Sequence, residues 1–319
     1  MTSFIEIPNR RRFRFGVDGR LDRWDPDRRS VVAQGGLVSS RSLVTGVLLL
    51  AGILLPGTVV AGLLHAQNPL GIISDRGLTA TPVYEGWYPN PDGTVTLSFG
   101  YYNRNRAETL DIEHGPDNFM EPAELDGGQP THLRPGRHWG VFGVRVPADY
   151  EGKVIWTIKV RGDTFSIPGH LHDDWKIDAL EGEATTGNRP PMLGFGGERG
   201  AGPGGIFGPE LSGTVGDPLT MRVWTSDDGL QSGSVGGLGR SDVPVTLTWF
   251  EHSGPGNVTF DPVSAEIPVE GGWMETMAEF DAPGVYVLRV RANDVSGVRS
   301  AGHAQCCWSN GFVRVTIGR

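Results

Sequence analysis

Between Val243 and Asp294 apolar and polar residues alternate one by one, a period that an extended chain satisfies and a helix does not. In Val243-Pro-Val-Thr-Leu-Thr-Trp-Phe250, residues Val243, Val245, Leu247 and Trp249 fall on one face, with Pro244, Thr246 and Thr248 on the other. Ser253-Gly-Pro-Gly-Asn257 supplies a turn, and Val258-Thr-Phe260 begins another short strand. Met274, Thr276, Ala278 and Phe280 alternate with Trp273, Glu275, Met277 and Glu279, so a third strand is expected to bury the first set. After the turn Asp281-Ala-Pro-Gly284, Tyr286, Leu288, Val290 and Ala292 point inward while Arg289 and Arg291 point outward. The last strand is expected from Phe312 to Ile317, with Val313, Val315 and Ile317 inside. Strands with one buried side close into a layered sandwich.

Tyr286, opening its strand after a tight turn, suits a tyrosine corner, its ring in the core and its hydroxyl capping the turn. Together with Asn188-Arg-Pro-Pro191, Leu211-Ser-Gly213, Trp249, Ser253-Gly-Pro-Gly256, Val258-Thr-Phe260 and Ala282-Pro-Gly-Val-Tyr-Val-Leu-Arg-Val290, it makes the region resemble a known class. That class is the PKD/cadherin-like, immunoglobulin-like sandwich domain of bacterial extracellular proteins, and the likeness covers about the last 130 residues. The resemblance implies a secreted structural or binding module and fixes no catalytic residue. Leu288 stands where an antibody domain would carry a disulfide cysteine and Trp249 where it would carry the core tryptophan, so burial alone is expected to hold the sandwich. Leu230 to Asp242 and Arg299 to Ser309 depart from the pattern as insertions, where any special function is expected.

The N-terminus is of another character. Residues 1–42 form a basic leader, with Arg10-Arg-Arg-Phe-Arg14 and Arg28-Arg29, and residues 43–66 are expected to be a signal peptide or membrane-anchor helix. Arginines ahead of an uncharged apolar run hold the N-terminus in the cytoplasm and send the rest across. Ala66 is a suitable small residue for cleavage, whereas about 20 apolar residues also suffice to span a bilayer. The chain is thus expected to be exported, to the periplasm, the cell surface or the medium, touching a membrane only through this helix if it stays attached. Before residue 67 there are nine arginines and five acids; beyond it 19 basic and 32 acidic residues remain. An acidic mature protein is ill suited to nucleic-acid phosphates.

In residues 78–178, Val95, Leu97, Phe99 and Tyr101 alternate with polar residues, as do Phe142, Val144 and Val146, and Val154, Trp156, Ile158 and Val160. Arg161-Gly-Asp-Thr164 reads as a hairpin with Gly-Asp at its tip, a structural reason for letters that also spell an integrin tripeptide. With 48 glycines and 23 prolines in 319 residues and no helical pattern beyond residue 66, the class is all-β. The expected order is two immunoglobulin-like β-sandwich domains in tandem after the N-terminal helix. The first spans 78–178, a Gly/Pro-rich linker 179–210, and the second 211–319.

Four groups of residues are candidates for chemistry. In Gly169-His-Leu-His172-Asp-Asp174, His170 and His172 project from one face of an extended chain and, with Asp173 and Asp174, make a copper or zinc site conceivable. His132 and His138 are further candidate ligands, while loop histidines also serve turn carbonyls. Cys306 and Cys307 are the only cysteines; they form a vicinal disulfide, stay free with one buried, or bond another chain, and His303 makes a soft-metal cluster conceivable. Asp227-Asp-Gly229, Asp242 and Asp294 would hold calcium if gathered at one end of the second sandwich. Asn257-Val-Thr259 spells a glycosylation sequon. Trp87, Tyr88 and Tyr102 are candidates for stacking on a ligand, within a cluster that includes Tyr84 and Tyr101.

No Gly-x-Ser-x-Gly elbow and no His-Glu-x-x-His motif occurs, so catalysis is not expected, nor is a resident cofactor. The expected function is that of an exported, non-enzymatic β-sandwich protein serving structure, adhesion or assembly at the cell envelope. Its partner would be a protein or glycan at the cell surface. The alternatives are a metal-binding or electron-transfer accessory protein, using His170/His172 or the cysteine pair, and a carbohydrate-binding module.

Overall fold

The computed structural model describes residues 74–177, 180–182, 187–230, 242–297 and 307–319, with the backbone of two short paired strands, Phe13–Phe15 and Leu21–Arg23. Residues 43–66, both ends of the leader, Cys306, His303 and most of the two insertions lie outside the described residues. The chain divides into compact units Met1–Leu64 and His65–Arg319, and the second holds both β-rich halves. Among the described residues no helix is long and apolar enough to cross a membrane. Helical structure there is confined to single 3-10 turns at Ala123–Leu125 and Asp173–Trp175, so the class is all-β.

The N-terminal half contributes β1 (Ala80–Pro89), β2 (Thr94–Asn103), β3 (Leu110–Asp111), β4 (Asn118–Glu121), β5 (His132–Leu133), β6 (Gly136–Pro147), β7 (Val154–Val160) and β8 (Asp163–Gly169). One sheet runs β1-β2-β6 and a second runs β8-β7-β4, with β3 and β5 paired beside them. Their facing surfaces enclose Leu97, Phe99, Met120, Leu133, Phe142, Trp156 and Ile158. Phe99 stacks on Phe142 at 5.5 Å, and Trp156 meets Phe142 edge-on at 5.1 Å. The Trp156 indole N–H donates to Asn118 Oδ1 at 2.9 Å, and the Asn118 amide donates to the carbonyls of Ile112 and Pro130, so this buried polar group is matched. The hairpin tip between β7 and β8 is not Gly-Asp. Val160 pairs with Asp163, and the two intervening residues, Arg161 (φ 55°) and Gly162 (φ 86°), are left-handed as a two-residue hairpin turn requires.

The C-terminal half contributes β9 (Met192–Gly194), β10 (Arg199–Gly200), β11 (Ile206–Phe207), β12 (Leu211–Thr214), β13 (Leu219–Ser226), β14 (Val245–Ser253), β15 (Val258–Asp261), β16 (Ser264–Ile267), β17 (Gly272–Phe280), β18 (Gly284–Asn293) and β19 (Trp308–Gly318). One sheet has the order β10-β9-β13-β17-β15, the other β11-β19-β18-β14-β16, with β12 parallel to β19. Two facing sheets of this order, with the first strand running parallel to the last, make an immunoglobulin-like Greek key.

The alternation read from the sequence is realised here: Val245, Leu247, Trp249, Met274, Ala278, Phe280, Leu288, Val290, Val313 and Val315 fill the core. Val243 is the exception, 47% exposed and ahead of β14. The Tyr286 hydroxyl donates to the Ala282 carbonyl at 2.7 Å, which is the tyrosine corner. Gly254 is required by close approach, because a Cβ there would enter the Tyr286 ring. The Asn257 amide of the sequon donates to Asp281 at 2.8 Å.

Two expectations are overturned by one feature. Residues 192–207, read as part of a linker, instead form β9 to β11, with β9 paired to β13 and β11 running parallel to β19. The strap between them lies on the N-terminal half as well. The Gly204 N–H donates to the Tyr88 hydroxyl at 2.6 Å, and a Cβ on Gly204 would collide with that hydroxyl and Thr96. Glycine and proline suit a free linker and a close-packed strap equally well, and here close packing decides. Tyr88, expected to be available for stacking, is only 2% exposed as a result. Thr96 and Ser98, on the presumed solvent face of β2, are buried too.

Candidate functional site

The outer face of the sheet β14-β18-β19 is not solvated; it packs against the N-terminal half. Alternation sends Phe250 and His252 from β14, Arg289 and Arg291 from β18, and Trp308, Asn310 and Phe312 from β19 to that side. Phe312 completes the N-terminal core cluster. Asn310 is the polar centre of the seam. Its amide donates to the carbonyls of Gly140 at 2.6 Å and Pro203 at 2.7 Å, and its Oδ1 accepts from Arg289 Nη1 at 3.0 Å. The Trp308 indole adds a bond to the Gly140 carbonyl at 3.3 Å, and Gly140 (φ 43°) leaves no room for a Cβ beside that ring.

Beside Asn310 lies a group of cations. The guanidinium carbons of Arg289, Arg134 and Arg291 sit 4.4, 5.3 and 5.3 Å from the centroid of the Phe250 ring. Tyr101, whose hydroxyl accepts from the Arg134 backbone N–H at 3.0 Å, stacks on His138 at 4.7 Å. Burial and the neighbouring Arg291 pull Arg289 down to about 9, and burial holds His138 near 4. His252, wedged between Phe312 and Phe142, has one ring nitrogen 3.0 Å from the Gly128 carbonyl, and burial holds it near 3.

Two carboxylates flank the seam. Glu85 pairs with Arg137 at 2.7 Å and accepts from the Gly140 N–H at 2.6 Å, yet burial outweighs both and raises it to about 7. Glu251, also raised to about 7 by burial, lies 3.9 Å from His132, which bonds Asp111 at 2.7 Å.

The strap frames a groove of about 1000 Å³ lined by Tyr88, Pro89, Arg145, Met192, Arg199 and Phe207, among others. A smaller cavity of about 390 Å³ reaches from Phe207 to His252 and Phe312. Phe207 borders both, stacked on Phe312 at 5.5 Å with 81% of its surface exposed.

The residues singled out from the sequence are placed as follows. His170 and His172 are neighbours with ring centroids 6.2 Å apart, but each Nδ1 accepts from a backbone N–H, of His172 and Asp174 respectively, at 3.3 Å. Asp173 and Asp174 begin the 3-10 turn that follows. Among the described residues no three His, Cys, Asp or Glu side chains form a group able to hold a metal ion. Asp227 and Asp294 do approach: burial raises them to about 6 and about 7, and the charge of Asp227 raises Asp294 further. Asp294 accepts from the Asn188 amide at 2.8 Å, whereas Asp242 is exposed.

Cys307 is fully buried beside Tyr88 and Ile177 and is disulfide-bonded. The Trp87 indole donates to the His172 carbonyl at 2.9 Å. Tyr102 is 42% exposed, with Arg104 over its ring at 5.9 Å. Arg161 of the integrin-like tripeptide is bidentate to Glu108 at 2.7 and 2.8 Å.

Of the seam residues only His138 and Tyr101 were among those candidates, and in other roles; Phe250, Arg289, Asn310 and Phe312 were not. The available signal was Phe250 and Phe312, large aromatic residues at positions that alternation assigns to solvent.

No family model matches the chain, and no curated protein matches it in sequence. Among solved structures it is similar to the D00-D0 domain of intimin, at 10% identity over 76% of this chain and 100% of that one, with a TM-score of 0.26. Domains 4 and 5 of the S-layer protein SbsC give 10% identity over 69% and 90%, at 0.23. The Yersinia pseudotuberculosis adhesin InvE gives 10% over 76% and 58%, at 0.24. Likeness at this level defines neither a family nor an activity, and the class rests on the strand order itself: an all-β protein with an immunoglobulin-like sandwich.

Proposed function

We propose that the protein is an exported, non-enzymatic tandem of two β-sandwich domains that presents a protein-binding surface at the cell envelope. The observation that carries this reading is Phe207. A phenylalanine left four-fifths exposed on a short strand, bordering two cavities, forgoes about 1.5–3 kcal/mol of burial that a partner would recover. Export is supported by the arginine-rich leader ahead of an uncharged apolar run, and by a disulfide at Cys307, which suits an oxidising compartment.

The test is photo-crosslinking in cells from a reactive residue at position 207. A single envelope protein captured there, and not from a control at exposed Trp273, supports the reading; equal labelling at both positions sinks it. Fractionation and mass spectrometry of the mature N-terminus test export. Carbohydrate binding is a second reading, favoured by exposed Tyr102 beside Arg104 and Phe165. It is abandoned if Tyr102→Ala leaves polysaccharide retention unchanged.

A further inference from the structure

We propose that the cavity behind Phe207 is a binding site for a phenol-like ligand, a single aromatic ring bearing a hydrogen-bond donor. The cavity measures about 390 Å³ and takes its lining from both halves of the molecule. Ligand pockets run from about 300 to about 1,000 Å³, so this one suits one substituted ring rather than a fused system. Its floor is buried: Phe142, His252 and Phe312 are 2%, 4% and 5% exposed. Its mouth is open, because Phe207, Glu210 and Arg314 are exposed and a Cβ on Gly127 or Gly128 would meet nothing within 4 Å.

His252 sets the polarity of the site. Its Nε2 lies 3.0 Å from the Gly128 carbonyl, which only accepts, so the ring proton sits on that nitrogen. Burial keeps the ring from taking a second proton, which leaves Nδ1 an acceptor. That Nδ1 is buried and has no hydrogen-bond partner among the described residues. A bare acceptor in a dry wall is costly, and a donor carried in by a ligand matches it.

The walls choose the rest of the ligand. Phe142 and Phe312 meet the His252 ring edge-on at 6.5 and 5.3 Å, and Phe207 stacks on Phe312 at 5.5 Å. Water matches Nδ1 but gains nothing from these rings, whereas an aryl group gains both burial and edge-on contacts. A carboxylate has no proton to donate at neutral pH and is disfavoured between phenyl walls. A phenol ring, free or on a tyrosine side chain, is the shared chemistry. The cavity borders the docking surface proposed above through Phe207 but is tested with no partner present, so either reading can fail alone.

Amide NMR spectra of the purified, deuterated full chain are followed during titration with p-cresol, with a blocked Ala-Tyr-Ala peptide and with toluene. Saturable shifts at Gly128, Gly143 and Gly208 are expected with p-cresol, at a Kd about fivefold below that for toluene. Tighter binding of the peptide than of p-cresol assigns the site to a tyrosine side chain, and the reverse to a free phenol; either supports the site. Phe207→Ala, at an exposed position, is expected to leave the unfolding midpoint unchanged and to weaken p-cresol binding about fivefold. His252→Phe keeps a ring in place and is expected to bring p-cresol and toluene to the same Kd. No saturable shift with either phenol overturns the proposal. So does toluene binding the unaltered protein as tightly as p-cresol, or p-cresol affinity that Phe207→Ala leaves unaltered.

Discussion

The sheet β14-β18-β19 is buried on both faces, and the two faces are built on different principles. The inner one is a hydrocarbon surface of Trp249, Leu288, Val290, Val313 and Val315, whose only hydroxyl of consequence is the tyrosine corner at its edge. The outer one holds Phe250 and Phe312 but also Arg289, His252 and Asn310, all buried. Non-directional burial holds the inner face, and matched polar groups fix the register of the outer one. A half of the molecule that looks complete by its own core thus carries a second, more exacting interface on its back.

Removing the centre of the inner face separates the two principles most sharply. Trp249→Ala is expected to cost about 3–5 kcal/mol in denaturant unfolding of the full chain, a cavity that the outer face cannot relieve. A loss under about 1 kcal/mol would mean that the inner face does not dominate stability.

Acid should act next, and on the outer face through His138 and His252. Both are held below the ordinary histidine value, so their neutral forms stabilise the folded state above pH 6.5, and that contribution is lost as pH falls toward about 4 and about 3. Glu85, Glu251 and Asp294, raised to about 7, and Asp227, raised to about 6, act in the opposite sense. Their contribution is present below the ordinary carboxylate range and lost as pH rises through those values. Stability should therefore rise as pH falls from 8 to 6.5, where only the carboxylates titrate, rise more gently below 6.5, where the two histidines oppose the four carboxylates, and turn down near pH 4. A Tm series across this range checks the sign, and His252→Asn should flatten the acid limb.

Asn310→Ala leaves the Pro203 carbonyl and one Arg289 donor unmatched and the Gly140 carbonyl with the Trp308 indole alone, and about 2 kcal/mol is expected to be lost. Urea midpoints measure it, and a loss no larger than that of an exposed asparagine would break the claim that polar matching holds the seam. Tyr286→Phe is the smallest, about 1 kcal/mol for one hydrogen bond at the rim of the inner face, read from the same curves.

The inner face was legible because one period governs it. Met274, Thr276, Ala278 and Phe280, and Tyr286 through Ala292, are buried as alternation requires, and the turn at Asp281 places Tyr286 as expected. The outer face was not legible, because its covering surface comes from Tyr101, His138 and Gly140, more than a hundred residues earlier in the chain. Period-two reasoning assigns Arg289 to solvent and has no means of knowing that another sheet lies there. The same blindness placed Tyr88 at the surface and residues 192–207 in a linker. The His170/His172 stretch follows β8 and leads into the 3-10 turn Asp173–Trp175. What its spacing did not reveal is that both Nδ1 atoms serve as caps for the backbone.

The strands β11 and β12 both run parallel to β19. Their entry and its exit consequently sit at opposite ends of one ladder. Tension applied between those ends strains the backbone bonds in shear, together, where a hairpin would give way one rung at a time. Force drawn along β19 is thus shared among those parallel backbone bonds at once.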